Sequence, residues 1–293
     1  MKIQNRKVIG KKKLPNQKRD VLTYALFMIW PTIQFVIFYI GVNFNSMIMA
    51  FQKYDADQGK YLWDITKNIE RFTQEASNKG FWVMLKNSVI VFFGGTFVSL
   101  TLAVFFSYYI YKRRTLYNLF KFVLFLPSVL PGVMLSVMFK TFMSEAIPTW
   151  MEFLFKIKVG NALENENVRF LIITIYGIWL SFGSQVLVYT GAMDQIPTEI
   201  IEAGKIDGVS TLREFFSIII PCILPTMTTF IVASIAGIFT NQNGLYNFYG
   251  STALPQDRTL GYYLYILVQT DGNGKSGYCY ASFLGLLCTL FDL

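Results

Sequence analysis

The residues that could do chemistry are few, and most of them fall in one stretch. From Pro197 to Pro225 the chain reads PTEIIEAGKIDGVSTLREFFSIIIPCILP, holding Glu199, Glu202, Asp207 and Glu214 with Lys205 and Arg213. It sets several acidic residues between two strongly apolar runs. Histidine is absent, which excludes imidazole bases and His-ligated metals. Cys222, Cys279 and Cys288 have no metal-ligand spacing; they lie in or beside apolar runs and read as small buried hydrophobes. A phosphate-cradling Gly-x-x-x-x-Gly-Lys-Ser/Thr loop, a His-Glu-x-x-His pair and a Gly-x-Ser-x-Gly elbow are all missing. The chemistry left to the acidic stretch is docking, and no catalytic or metal site is expected.

Local rules give that stretch a shape. Pro197 suits the first turn of a helix over Thr198 to Lys205. Thr198 is placed to cap it, with Glu199 and Glu202 near its positive end. Asp207-Gly208 is a turn signal. Ser210 then opens a second helix, Thr211 to Ile220, and Pro221 and Pro225 mark where it meets the next apolar run. Gly204 and Gly208 allow close approach of another chain.

The rest of the chain must hold this element at a membrane. Of its 293 residues 53% are hydrophobic and only 15% charged, against about 25% charged in a soluble domain. Several uncharged runs reach the ~20 residues that cross a bilayer core. Much of the net charge of +8 sits in residues 1–20, where Lys2, Arg6, Lys7, Lys11, Lys12, Lys13, Lys18 and Arg19 oppose Asp20 alone. A basic tail ahead of an apolar run marks a cytoplasmic N-terminus. It lacks the base-reading elements of a nucleic-acid binder. The apolar run is also too long for a cleaved signal peptide.

Taken in order, Val21 to Val42 is the first span, with Pro31 inside it, and Asn43 to Gly80 is an outer segment. Asn87 to Tyr111 is the second span, entered through Phe81-Trp82. It ends in the basic cluster Lys112-Arg113-Arg114 on the cytoplasmic side. Gly94-Gly95 inside it suits close helix packing. Phe122 to Phe139 is the third span, which Pro127 and Pro131 break or kink, and Ser144 to Val168 is a second outer segment. Phe170 to Met193 is the fourth, carrying Ser181, Gly183, Ser184 and Gln185 in its middle. The parity of spans places the acidic stretch in the cytoplasm. Phe215 to Gln256 is uncharged; its first part, to about Asn241, is the fifth span, followed by an outer loop. Thr259 to Thr270 is too short to cross and is expected as a helix lying at the outer interface. Gly277 to Leu293 begins a sixth span that stops before completion. The domains are therefore the tail at 1–20, the first helix with its outer segment at 21–80, and a core of five spans at 81–293.

Glu202-Ala203-Gly204, Asp207-Gly208, Phe215, Ile218, Pro221 and Pro225 resemble the EAA loop of the permease subunits of bacterial ABC importers. Gly204 and Val209 stand where alanine is usual. Leu85-Lys86-Asn87-Ser88 looks like the opening of that family's core domain. Leu126 to Pro131 looks like its proline-flanked segment, and Tyr280 to Gly285 like its final-helix signature, with Phe283 in place of alanine. The set is most similar to the carbohydrate-uptake class, the maltose- and glycerol-phosphate-type permeases, in the shorter form with one leading helix.

The resemblance implies an all-α protein of six transmembrane helices with the type I ABC importer permease (MetI-like) fold, in a bacterial cell membrane. Within loop 192–218, Glu202, Ala203, Gly204, Asp207 and Gly208 would form a coupling helix framed by Pro197, Pro221 and Pro225. It would seat in a groove on a cytoplasmic ATPase dimer, with Glu202 facing a basic group there. ATP and Mg would be bound by that partner, leaving this chain without a cofactor. A second permease subunit would complete the path, and an extracytoplasmic binding protein would deliver a sugar or oligosaccharide, with residues 43–80 and 241–276 as the segments to meet it. Ser128, Ser181, Ser184, Gln185 and Asn241 match positions that contact sugar in maltose-type permeases, and an uncharged path suits a neutral solute. Two alternatives stand beside this one. An ABC permease for another solute shares the loop. An independent secondary transporter would need ionisable coupling residues within its spans.

Overall fold

The uncharged runs fold as helices, since a backbone in hydrocarbon must satisfy its own donors and acceptors. The computed structural model describes residues 17–55, 57–158, 160–166, 168–270 and 275–292. The basic tail thus lies outside the described residues as far as residue 16. The chain forms two compact units, Met1–Met49 and Ala50–Leu293. Residues 50–80 consequently pack with the core, whereas the sequence reading groups them with the first helix.

In the first unit the chain is helical from Gln17. The apolar helix α1, Leu26–Ala50, runs well past Val42 through a π-turn at Phe35–Gly41. In the second unit the expected outer loop is an ordered structure. Strands β1 (Gln52–Asp55) and β2 (Lys60–Trp63) form an antiparallel hairpin with Gln52 opposite Trp63. Helix α2 (Thr66–Ala76) follows. Buried Asn68 on α2 donates through Nδ2 to the carbonyls of Ala50 (2.9 Å) and Gln52 (3.2 Å), tying the helix to the hairpin.

Helix α3 (Lys79–Tyr111) starts at an Asn78 cap and carries a π-turn at Gly94–Val98. Helices α4 (Tyr117–Val129) and α5 (Gly132–Phe155) meet at an angle of 106°. The break falls at Leu130-Pro131, because proline forces its predecessor out of the helical region; Leu130 is extended, at φ −81° and ψ 146°. Pro127 stays inside α4. The third span is therefore two pieces, broken as the proline pair predicts but at Pro131 alone, and α5 takes up much of what reads as the second outer segment.

Helix α6 is Arg169–Asp194, α7 is Thr198–Ile206, and α8 is Thr211–Ile235. Three shorter helices close the chain: α9 (Leu245–Tyr249), α10 (Leu260–Thr270) and α11 (Lys275–Asp292). Among the described residues four helices are long and apolar enough to cross a membrane, or five if the bent α4–α5 pair is one span. Helix α11 is apolar but shorter than these, so a count of six is not reached.

One core cluster joins α3 and α6 through Ala103, Val104, Val186, Tyr189 and Met193, and is closed by Phe215, Ile219 and Ile223 of α8. Buried Ser107 stitches the first two together: its hydroxyl lies 2.6 Å from the Ala103 carbonyl and 2.9 Å from that of Val186. A second cluster packs Leu135, Ile173 and Tyr176 against Leu245, Phe248 and Tyr262.

Helix α10 does not lie at a surface. Leu260, Tyr262 and Leu267 are buried, and the helix is held by the Leu85–Ser88 motif. Asn87 Nδ2 donates to the carbonyls of Gln256 (2.8 Å) and Arg258 (3.0 Å), and Ser88 Oγ accepts from the Leu260 amide (2.9 Å). The final-helix signature has a comparable task. Tyr280 and Tyr263 donate to the two oxygens of Glu75 on α2, at 2.7 and 2.5 Å, and Arg71 lies over the Tyr280 ring. Of the cysteines, Cys279 and Cys288 are buried, while Cys222 is exposed on α8, contrary to the sequence reading.

Candidate functional site

Two features stand apart from the packing. The first is the charged turn between α6 and α8. Pro197 takes the N-cap position of α7, not the first turn, and Thr198 is the first helical residue and caps nothing. At the other end the backbone closes twice: the Gly208 amide donates to the Lys205 carbonyl (3.1 Å) and the Val209 amide to that of Gly204 (3.0 Å). This is a Schellman closure, which needs a left-handed residue just past the helix. Gly208 supplies it at φ +69°. Ser210 then caps α8 by accepting from the Arg213 amide (3.4 Å).

One face of α7 is buried and the other open. Ile201 and Gly204 face the core; Glu202, Ala203, Lys205, Asp207 and Gly208 are exposed. A Cβ on Gly204 would lie 2.8 Å from Ile218 Cδ1, so glycine here lets α7 sit down on α8. Ile206 is 87% exposed and Leu212 70%. These large apolar side chains stand exposed beside charged ones on the same turn. Pro221 and Pro225 lie inside α8, which runs on unbroken. Pro221 has no amide for the helical ladder, and the π-turn at Phe215–Ile219 directly before it absorbs the interruption.

Glu214 belongs to the interior and not to the exposed face. Its Oε1 lies 2.5 Å from Lys112 Nζ at the end of α3, with only 9% of the Glu214 side chain exposed. Tyr108 on α3 donates to the Thr211 carbonyl (3.2 Å), and its ring centroid is 4.8 Å from that of Phe215.

The second feature is a cavity of about 420 Å³ between α3, α6 and the end of α8. Ser181, Gln185 and Asn241 line it, joined by Thr96, Thr174, Ser234, Thr240 and Asn243, with Gly95, Gly177, Gly237 and Gly244 leaving room. Its described lining holds hydroxyls, amides and apolar groups and no ionised side chain. Gln185 is fixed by Ser99, whose hydroxyl donates to Oε1 (3.1 Å) and lies 3.4 Å from Ser181 Oγ. Asn243 is buried with φ +53°, donating to Thr174 Oγ1 (3.3 Å), and its own amide nitrogen donates to Asn241 Oδ1 (2.8 Å).

Ser128 and Ser184 do not reach this cavity. Each is exposed and donates to a carbonyl three residues back, Phe125 (2.7 Å) and Ser181 (3.0 Å) respectively. Gly94 and Gly95 divide the work the sequence assigns to both. Gly94 packs toward Thr174, while Gly95 faces the cavity.

Membrane-length helices around an uncharged polar cavity, with a charged helix–turn–helix presented at one end, define a membrane transport subunit. The model of the family described as binding-protein-dependent transport system inner membrane component matches residues 95–293, and the chain belongs to that family. It is 24% identical over 215 residues to the arabinooligosaccharides transport system permease protein AraP of Bacillus subtilis, covering 71% of this chain and 66% of AraP. It is 29% identical to the lactose transport system permease protein LacF of Rhizobium radiobacter, over 64% of each chain. The chain thus spans about two thirds of the length of these relatives. Among solved structures it resembles a chain of a bacterial ABC transporter involved in import of the acidic polysaccharide alginate, with TM-score 0.75 and 19% identity over 94% of both chains. That likeness establishes the importer-permease fold.

Proposed function

We propose that this chain is one of two permease subunits of an ATP-driven importer for a sugar or oligosaccharide. The observation that carries the reading is the cavity. Hydroxyl and carboxamide groups are matched donors and acceptors for sugar hydroxyls, and the described lining holds no ionised group to neutralise a charged solute or to carry a coupling proton. A second permease would close the open side of the cavity. A binding protein on the outer face would deliver the solute, as the relatives' transport systems suggest.

Energy would enter through α7. Its exposed face offers Glu202 for a basic group and Ile206 for an apolar groove on a cytoplasmic ATPase. The Schellman turn at Gly208 keeps that face rigid. The N-terminus and this turn would share the cytoplasmic side.

Replacing Glu202 with Lys, or Gly208 with Val, in the assembled transporter should lower both sugar uptake and co-purification of the ATPase subunit. The Gly208 change alone forces a left-handed position that costs a branched residue ~1–2 kcal/mol. Full uptake with the ATPase still bound would remove α7 from the coupling role. Uptake of a charged solute and of no neutral sugar would overturn the substrate class.

A further inference from the structure

Resting on that reading, we infer that the Lys112–Glu214 pair is the joint through which movement of the coupling turn reaches the cavity. The sequence gives Lys112 no role beyond marking topology and places Glu214 among the docking charges. The structure takes both out of those roles.

Three contacts bind the end of α3 to the start of α8. The ion pair is 2.5 Å long and mostly shielded, with 21% of the Lys112 side chain and 9% of the Glu214 side chain exposed. Tyr108, one helical turn before Lys112, donates to the Thr211 carbonyl and packs its ring on Phe215. Phe105, one turn earlier again, packs its ring at a tilt against the same Phe215, with centroids 5.1 Å apart. Phe215 is itself 2% exposed. The base of the turn cannot shift without carrying this end of α3.

The other part of α3 reaches the cavity. Gly95 and Thr96 line it, and Ser99 holds Gln185. From Lys112 to Gly95 the helix spans roughly 25 Å at 1.5 Å per residue. The π-turn at Gly94–Val98 interrupts its regular ladder at the level of the cavity, and such turns are where a helix changes course. Helix α3 is thus fixed at one end to the element that meets the ATPase and is irregular where it meets the solute. Lys112 and Glu214 are positioning residues; neither touches the solute or ATP.

The test uses the complete assembly, with partner permease, ATPase and binding protein, in proteoliposomes. Three quantities are measured: co-purified ATPase, basal ATP hydrolysis, and its stimulation by solute-loaded binding protein alongside uptake. Lys112→Glu and Glu214→Lys should each keep the ATPase bound and leave basal hydrolysis within about twofold. Stimulation and uptake should fall roughly tenfold, within the usual range for loss of coupling between sites. The double exchange K112E/E214K restores the pair with reversed sense and should recover most of both. Glu214→Gln, which retains a hydrogen bond and is the milder change, should lie between. Singles that transport normally would overturn the inference, as would a double exchange no better than either single. Singles that lose the ATPase would assign the pair to docking and also overturn it. If hydrolysis by the unaltered assembly ignores the loaded binding protein, it is the permease reading that fails, and the inference with it.

Discussion

Gln185 offers the sharpest test of the cavity. It stands on α6 with its carbonyl oxygen accepting from Ser99 and its side chain lining the cavity. Gln185→Leu does two things at once. It removes an internal hydrogen bond with a net worth of ~1 kcal/mol, and it takes a polar group from the path. Ser99→Ala removes the same bond and leaves the glutamine in place. Ser99 is fully buried and does not line the cavity, so the two variants share the structural loss and differ in the path. After Gln185→Leu the Ser99 hydroxyl still has Ser181 Oγ at 3.4 Å, which limits its desolvation cost. The path loses one or two hydrogen bonds to sugar hydroxyls, about 0.5–1.5 kcal/mol each. Initial uptake at saturating loaded binding protein should therefore fall about 2- to 160-fold for Gln185→Leu and by a smaller factor for Ser99→Ala. Equal losses would show that Gln185 acts through packing and sink the assignment to the path; an unchanged rate for Gln185→Leu would do the same.

Two further predictions concern the frame that holds the cavity. A methyl group at Gly183 on α6 would be driven into the Leu124 carbonyl oxygen of α4, whereas one at Gly191 would meet nothing within 4 Å. Thermal unfolding in detergent should show Gly183→Ala destabilised by ~1–3 kcal/mol or more and Gly191→Ala unaffected; equal melting would place the α4–α6 contact elsewhere. Arg169 and Asp257 form a 2.5 Å pair with exposures of 6% and 4%, so Asp257→Ala leaves a buried guanidinium uncompensated, at a cost of about 3–5 kcal/mol. Adding Arg169→Met should recover part of that stability, and a double variant as unstable as the single would show that more than the ion pair is at stake.

The charged turn between α6 and α8 is legible in sequence because its rules are local. A proline before the helix, a glycine in the left-handed position and a serine at the next cap are set within a few residues, and α7 ends where Asp207-Gly208 says it should. The one local misreading, Thr198 as the cap, shifts the start by a residue, since Pro197 already occupies the cap position. The cavity is less legible because it is made by distant segments. Thr174, Ile178, Ser181 and Gln185 recur at three- to four-residue spacing and so share one face of α6. That stripe was available from the sequence, but spacing does not exclude Ser184, which follows Ser181 by three residues and Gly177 by seven; only the structure leaves it outside the cavity lining. Asn243 was not available: its place depends on a left-handed turn and on Gly177 leaving space beneath its amide. Helix α10 reads as an interfacial helix because composition cannot distinguish lipid from protein as its apolar surroundings. The long-range bonds from Asn87 and Ser88 decide for protein.

The placement of ionised groups ties the two features together. Each buried ion pair sits at a helix end. Arg169 opens α6 and meets Asp257 in a loop; Lys112 follows the end of α3 and meets Glu214 in the first turn of α8. An ionised group in mid-membrane costs at least ~2.5–3.5 kcal/mol, so pairs at the ends can fix the helices without loading the middle. The cavity is then free to be lined by hydroxyls, amides and apolar side chains, with no ionised group among its described lining. On the proposed function a neutral solute would need no charge from this cavity, whereas an acidic one would have to find its compensating charge outside it. On the same reading, charge in this molecule would hold the ends of the helices, and the choice of solute would rest on neutral hydrogen bonds between them.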